Sequence, residues 1–260
     1  MTEHTAHPVV ITRPLAQAMS LAQRVAAIGR EAVVFPLLDI QPLPDQTQLR
    51  SALQNLSAYA MVAFVSPNAI DAAFALLSAW PSNVTIAVMG EGSRRALAAH
   101  GVTPANANII SPSDSERTDS QTLLEELDLD ALRGKRVLVI RGESGRELLA
   151  DALREQGVDV MQVGAYRRSV PVLDQARQGQ LLRLLDAQGD WIITSSEALR
   201  ILLQQVKEVA DDNGVVKMQQ QHLVVPHVRI AETARALGFV NITRTASGDE
   251  PLLAALQSRA

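Results

Sequence analysis

Gly134-Lys135-Arg136-Val137-Leu138-Val139-Ile140-Arg141-Gly142-Glu143-Ser144-Gly145-Arg146-Glu147-Leu148-Leu149 is the stretch that decides the fold. Val137 to Ile140 form an unbroken apolar run, which fits a strand buried on both faces rather than one with a wet side. A glycine-bearing turn follows at once, and then a helical pattern that Gly157 closes. A strand, a tight turn and a helix in that order are the opening half of a βαβ unit, from which parallel sheets are built.

The same half-unit opens the chain. Val9-Val10-Ile11-Thr12-Arg13 repeats Leu138-Val139-Ile140-Arg141, with the arginines 128 positions apart, and Gly29 and Gly157 keep that interval. Phe64-Val65-Ser66-Pro67 resembles Ile193-Thr194-Ser195-Ser196, and Arg95-Ala96-Leu97-Ala98-Ala99-His100-Gly101 resembles Glu232-Thr233-Ala234-Arg235-Ala236-Leu237-Gly238. Self-similarity at a fixed interval indicates an internal duplication. Further strands are predicted at residues 32–35, 61–65, 84–89, 108–110, 158–163, 191–194, 222–225 and 240–243, with helical patterns between them. Each copy thus supplies about five strands to a doubly wound α/β fold.

A chain of 260 residues is near the size at which one core stops growing, so two lobes are expected. A tandem division near Leu132 and an inserted division are both open. Prolines favour the second: Pro36, Pro42 and Pro44 follow the second strand of the first copy, and Pro171 follows that of the second. In the inserted arrangement residues 1–36 join 172–260 in one lobe, residues 43–165 form the other, and 37–42 and 166–171 link them across a cleft. Residues 111–121, rich in Ser and Asp, read as a mobile surface loop.

Composition narrows the function. Aromatic residues are 3% of the chain and the net charge is −4, which disfavours base-stacking and any global attraction to nucleic acid or a membrane surface. There is no cysteine, so disulfides, thiolate nucleophiles and iron–sulfur clusters are excluded. The polar start of the chain lacks a signal-peptide pattern and no apolar run is long enough to span a bilayer, so a cytoplasmic protein is expected. The histidines His4, His7, His100, His222 and His227 lack metal-ligand spacing. Gly90-Glu91-Gly92 is followed by Arg95 where a dinucleotide fingerprint needs its third glycine; neither a phosphate-binding lysine loop nor a serine-hydrolase elbow occurs.

Ligands of open parallel sheets lie beyond the carboxyl ends of the strands, where helix N-termini present free N–H groups. The turns there carry Arg13, Ser66, Asn68, Gly90, Ser93, Arg141, Gly142, Thr194, Ser195, Ser196, His227 and Arg229. Helix capping explains any one of these turns by itself. Together they describe a site for a polyanion, because N–H donors and guanidinium groups favour carboxylates or phosphates. Tyr166, one of two tyrosines, stands at the second linker. Its phenol is either a packed hinge residue or a donor of a proton or hydrogen bond.

Residues 134–149, with Gly157 and Val163-Gly164-Ala165-Tyr166-Arg167-Arg168, resemble the uroporphyrinogen-III synthase family, and Arg-Gly-Glu-x-Gly-Arg-Glu is their most specific part. Val10-Ile11-Thr12-Arg13-Pro14, Phe64-Val65-Ser66-Pro67-Asn68-Ala69, Val88-Met89-Gly90-Glu91-Gly92-Ser93 and Val225-Pro226-His227-Val228-Arg229-Ile230-Ala231 match in the same order. Ser93 stands where many members carry threonine. The resemblance implies two α/β lobes joined by a two-stranded ladder, and a monomer without metal or cofactor, in transient contact at most with the preceding pathway enzyme. It implies hydroxymethylbilane, a linear tetrapyrrole with eight carboxylates, as substrate. Loss of its hydroxyl as water, attack on ring D through a spiro intermediate, and reclosure with ring D inverted would give the type III macrocycle. Tyr166 matches the family's tyrosine and is the expected acid or orienting donor. Two rivals remain at this point: a non-catalytic sensor of a tetrapyrrole or other polyacid, and a sugar-transferring enzyme, for which no nucleotide signature exists.

Overall fold

The computed structural model describes residues 7–112, 120–145 and 147–258. The loop expected at 111–121 lies largely outside them. In chain order the first half contains β1 (Val9–Ile11), α1 (Leu15–Ala27), β2 (Ala32–Val34), β3 (Asp39–Pro42), α2 (Thr47–Gln54), β4 (Met61–Phe64), α3 (Pro67–Phe74), β5 (Thr85–Val88), α4 (Glu91–Ala99), β6 (Ile109–Ile110), α5 (Ser120–Glu125) and α6 (Leu129–Leu132). The second contains β7 (Arg136–Gly142), α7 (Leu148–Glu155), β8 (Asp159–Ser169), α8 (Gln175–Asp186), β9 (Asp190–Ile192), α9 (Ser196–Gln220), β10 (His222–Val225), α10 (Val228–Ala236), β11 (Asn241–Arg244) and α11 (Asp249–Gln257).

The chain forms two compact units, one of residues 1–39 with 169–260 and one of residues 40–168. The first has a sheet of order β11-β10-β9-β1-β2, parallel throughout. The second has the order β3-β8-β7-β4-β5-β6, parallel from β8 to β6. Apart from β3, the two orders are the same once the copies of the duplication are matched: β8 and β7 stand where β2 and β1 stand, and β4, β5 and β6 where β9, β10 and β11 stand. Each sheet therefore joins the first two strands of one copy to the last three of the other.

Side-chain alternation explains why these strands are apolar at every position. In the first unit Val10 packs with Trp191 and Leu223 on one face, while Val9 and Ile11 pack with Ile192 and Val224 on the other. In the second, Phe64, Leu138 and Ile140 share one face, and Met61, Ala63, Val137 and Val139 the other. Burying each of the larger aliphatic side chains is worth roughly 1.5–3 kcal/mol.

The stretches expected as linkers, residues 37–42 and 166–171, hold strands: β3 covers Asp39–Pro42 and β8 continues to Ser169. The two strands are hydrogen-bonded neighbours at the edge of the second sheet. Partial exposure hides both from pattern reading: Asp39–Pro42 has no buried residue, and Arg167 and Arg168 are exposed.

Candidate functional site

In both sheets the strand order reverses beside the first strand of a copy, next to β1 in the first unit and next to β7 in the second. Such switch points open a crevice beyond the carboxyl ends of the strands.

In the second unit the crevice is bounded by the ends of β4, β7 and β8. Val65 N–H donates to the Ile140 carbonyl at 3.2 Å, and the chain then turns into α3. Ser66 is the N-cap and Pro67 the first helical residue, the position at which a missing N–H costs nothing. Ser66 Oγ accepts from Ala69 N–H at 3.2 Å. Across β7 the pairing of β8 slips: Arg141 pairs with Gly164, but Gly142 pairs with Tyr166. One extra residue on β8 makes a bulge, a device that re-aims side chains at strand ends. Tyr166 thereby lies over Gly142, where an added Cβ would stand 3.1 Å from the ring Cζ and 3.3 Å from the hydroxyl. A side chain at this position would push the ring away by a few tenths of an ångström. Tyr166 is 7% exposed, and its phenol oxygen is 3.0 Å from Ser66 Oγ.

Arg141, beside this pair, is 8% exposed and already engaged. It donates to Gln162 Oε1 at 2.9 Å and to Glu147 Oε1 at 3.3 Å. Asn68 is half-buried in the first turn of α3. One strand further along, Gly90 caps α4 with φ 153°, and Ser93 is buried in that helix's first turn at 3% exposure.

The first unit repeats the plan with different partners. Thr12 Oγ1 donates to the Ile192 carbonyl at 2.8 Å and ties β1 to β9. Arg13 forms an ion pair of 2.6 Å with Asp249, in the first turn of α11. Thr194 is half-buried beyond β9, and Ser195 caps α9 by accepting from Glu197 and Ala198 N–H at 3.2 and 3.4 Å. Ser196 Oγ lies 3.0 Å from Thr233 Oγ1, which donates to the Arg229 carbonyl. His227 occupies the N-cap of α10 without a capping bond from its side chain. Burial and the nearby Arg229 hold its pKa below the ordinary 6.5, which favours the neutral ring. Arg229 itself is exposed.

The predicted residues thus fall into two groups. Ser66, Asn68, Gly90, Ser93, Arg141, Gly142 and Tyr166 belong to the second unit; Arg13, Thr194, Ser195, Ser196, His227 and Arg229 belong to the first. Among the described residues Ser66, Gly142 and Tyr166 meet as one cluster. The carboxylates that pair with the two arginines, Asp249 and Glu147, escaped the sequence reading. Asp249 had a visible signal, since an acid after Ser247-Gly248 and before Pro251 is typical of a helix start; which arginine it meets is tertiary information. Among the described residues no group of three or more His, Asp or Glu side chains could hold a metal ion.

This arrangement of duplicated sheets, hydroxyl-bearing turns and a buried phenol can be set beside known proteins. The family model described as uroporphyrinogen-III synthase HemD matches residues 19–251. The uroporphyrinogen-III synthase of Salmonella typhimurium is 30% identical over 254 residues, covering 96% of this chain and 99% of that one. The Escherichia coli protein of the same name is 29% identical with the same coverage. Among solved structures, uroporphyrinogen-III synthetase from Helicobacter pylori superposes with a TM-score of 0.61 at 15% identity, covering 98% of this chain and all of that one, and so shares the fold. With the model matched over most of its length and relatives aligned end to end, the chain belongs to the uroporphyrinogen-III synthase family.

Proposed function

We propose that this chain cyclises hydroxymethylbilane to uroporphyrinogen III, as a monomeric cytoplasmic enzyme, with Tyr166 as the acid that starts the reaction. The observation that supports this reading most is the buried phenol held over Gly142 at a strand-end crevice, in a chain of this family. The first step breaks the bond between the hydroxymethyl carbon and its oxygen. The phenol gives its proton to the departing oxygen, which leaves as water, and the pyrrole nitrogen lone pair moves to form the azafulvenium cation. That carbon attacks the substituted carbon of ring D; fragmentation and reclosure follow, and the final loss of a proton from ring D restores the aromatic ring and balances the proton first given. A general acid in this position is typically worth about 10²–10⁴-fold in rate.

The substrate's carboxylates need donors rather than a basic protein. The helix N-termini after β4, β5, β9 and β10 supply backbone N–H groups in a chain of net charge −4. Arg13 and Arg141 enter this reading as guanidinium groups that a substrate carboxylate shares with, or takes over from, Asp249 and Glu147.

The deciding experiment supplies hydroxymethylbilane to the purified protein and separates the type I and type III products. Type III product formed faster than spontaneous closure is expected. Type I alone, at the spontaneous rate, refutes the proposal and leaves a binding role.

A further inference from the structure

We propose that Ser66 is a positioning residue for Tyr166: it donates its hydroxyl proton to the phenol oxygen and so leaves the phenol's own proton free for the substrate. The inference rests on Tyr166 being the acid, and it starts from a count of protons and lone pairs. A serine hydroxyl has one proton and two acceptor sites. At Ser66 one acceptor site is taken by Ala69 N–H at 3.2 Å. The oxygen also sits at the N-terminus of α3, whose field favours negative charge there and turns the hydroxyl proton away from the helix. The Tyr166 oxygen, 3.0 Å away, is within reach of that proton. Among the described residues Ser66 is the phenol's hydrogen-bond partner, so the direction of this single bond decides where the acidic proton points. Were it reversed, Tyr166 would spend its proton on Ser66 and have none to give.

The duplication supplies an internal comparison. Ser195 caps α9 in the first unit as Ser66 caps α3 in the second. The residue 128 positions before Tyr166 is Leu38, an apolar core residue at 7% exposure. Capping therefore needs only the serine and is retained in both units, whereas the serine–phenol bond occurs in one. Gly142 completes the arrangement, because the ring rests 3.1 Å from where a Cβ would stand.

The test is a cycle of variants assayed with hydroxymethylbilane, after the wild-type protein has been shown to make type III product; failure of that control refutes the acid reading itself and not this inference alone. Ser66→Ala is expected to lower kcat about ten- to a hundredfold with KM within about twofold of wild type, the scale of loss seen when a reacting group is slightly misplaced. Ser66→Thr, which keeps the hydroxyl, is expected to restore most of the rate. Ser66→Asp retains a capping acceptor but has no proton to donate, and it is expected to be as slow as Ser66→Ala or slower; it also serves where the alanine variant folds poorly. In a Tyr166→Phe background, Ser66→Ala should cause no further loss, because the two residues act as one unit. Three results overturn the inference: wild-type kcat in Ser66→Asp, a raised KM as the main effect of Ser66→Ala, or losses that multiply in the double variant.

Discussion

Replacing Asp190 by Asn should destabilise the first unit by about 3–5 kcal/mol, the usual result of removing one partner from a buried ion pair. Asp190 opens β9 and is 5% exposed. Its carboxylate accepts from Arg30 Nη2 at 2.6 Å and lies 2.7 Å from His222 Nδ1. Among the described residues the other acceptors of Arg30 are neutral, the carbonyls of His7 at 2.7 Å and Leu256 at 3.2 Å, and its Nε has no partner. Asparagine keeps the shape but leaves that guanidinium charge buried and unneutralised. Against a total of about 5–15 kcal/mol for an ordinary domain, this is a large fraction. Trp191, fully buried and next in sequence, reports the loss directly, and Trp80→Phe removes the tryptophan of the other unit from the signal. The effect should also depend on pH. Burial alone would raise the pKa of Asp190, but the hydrogen bonds from His222 and Arg30 outweigh it and hold the carboxyl below its ordinary value of 3.8. The unfolded chain therefore takes up this proton first on acidification. The stabilisation is complete above the ordinary carboxylate range and fades as the pH falls through it, so the gap between wild type and Asp190→Asn should narrow in acid. Adding Arg30→Met to Asp190→Asn removes the stranded charge and should recover part of the loss. A denaturation midpoint for Asp190→Asn equal to that of wild type at neutral pH would refute the reasoning.

Three further outcomes are expected. Gly142→Ala places a Cβ 3.1 Å from the Tyr166 ring, which must shift by several tenths of an ångström; kcat should fall on the order of 10²-fold with little change in stability, as measured by turnover and urea denaturation in parallel. Asp249→Asn releases Arg13 from its 2.6 Å ion pair and should lower KM for hydroxymethylbilane, while Arg13→Ala raises it; an unchanged KM in both variants removes Arg13 from substrate binding. His227, whose protonation burial and Arg229 oppose, should titrate below 6.5 by NMR, and Arg229→Ala should move its midpoint upward; since the unfolded imidazole takes up its proton first, this residue's contribution to stability falls as the pH drops through 6.5.

The sequence is most legible where burial is complete on both sides. Val137 to Ile140 and Val9 to Ile11 leave no alternative to a central strand, and the glycines that close α1 and α7 stand at φ 78° and 79°, a conformation that other residues rarely adopt. Legibility falls at the sheet edge. Asp39–Pro42 is partly exposed along its length, so β3 carries no periodic signal. It falls further for polar residues whose partners are remote in sequence. Asp190 and Arg30 are 160 residues apart, and Arg13 and Asp249 are 236 apart. Nothing in local pattern links such pairs, and each is a contact that only the completed fold creates. The cap residues are intermediate: Ser66 and Ser195 are recognisable as N-caps from their position before a helical pattern, but capping alone does not distinguish them.

What distinguishes them is the exchange of strands between the two copies. Were each copy to fold on its own, the end of β4 would lie beside that of β1, and the end of β9 beside that of β7. Ser66 would then share a unit with Leu38, and Ser195 with Tyr166. In the observed sheets β4 pairs with β7, and β9 with β1. Ser66 therefore meets Tyr166, 100 residues away, and Ser195 shares its unit with Leu38. The proposed acid and its positioning serine come from different copies of the ancestral sequence, and no inspection of either copy could have paired them. The exchange has a functional consequence that can be measured. Removing the hydroxyl of Ser195 should cost only a cap, about 1 kcal/mol of stability in the first unit. Removing that of Ser66 should cost a similar cap in the second unit and, in addition, the orientation of the phenol. If Ser195→Ala slowed turnover as much as Ser66→Ala at unchanged KM, the asymmetry created by the exchange would have no bearing on the chemistry.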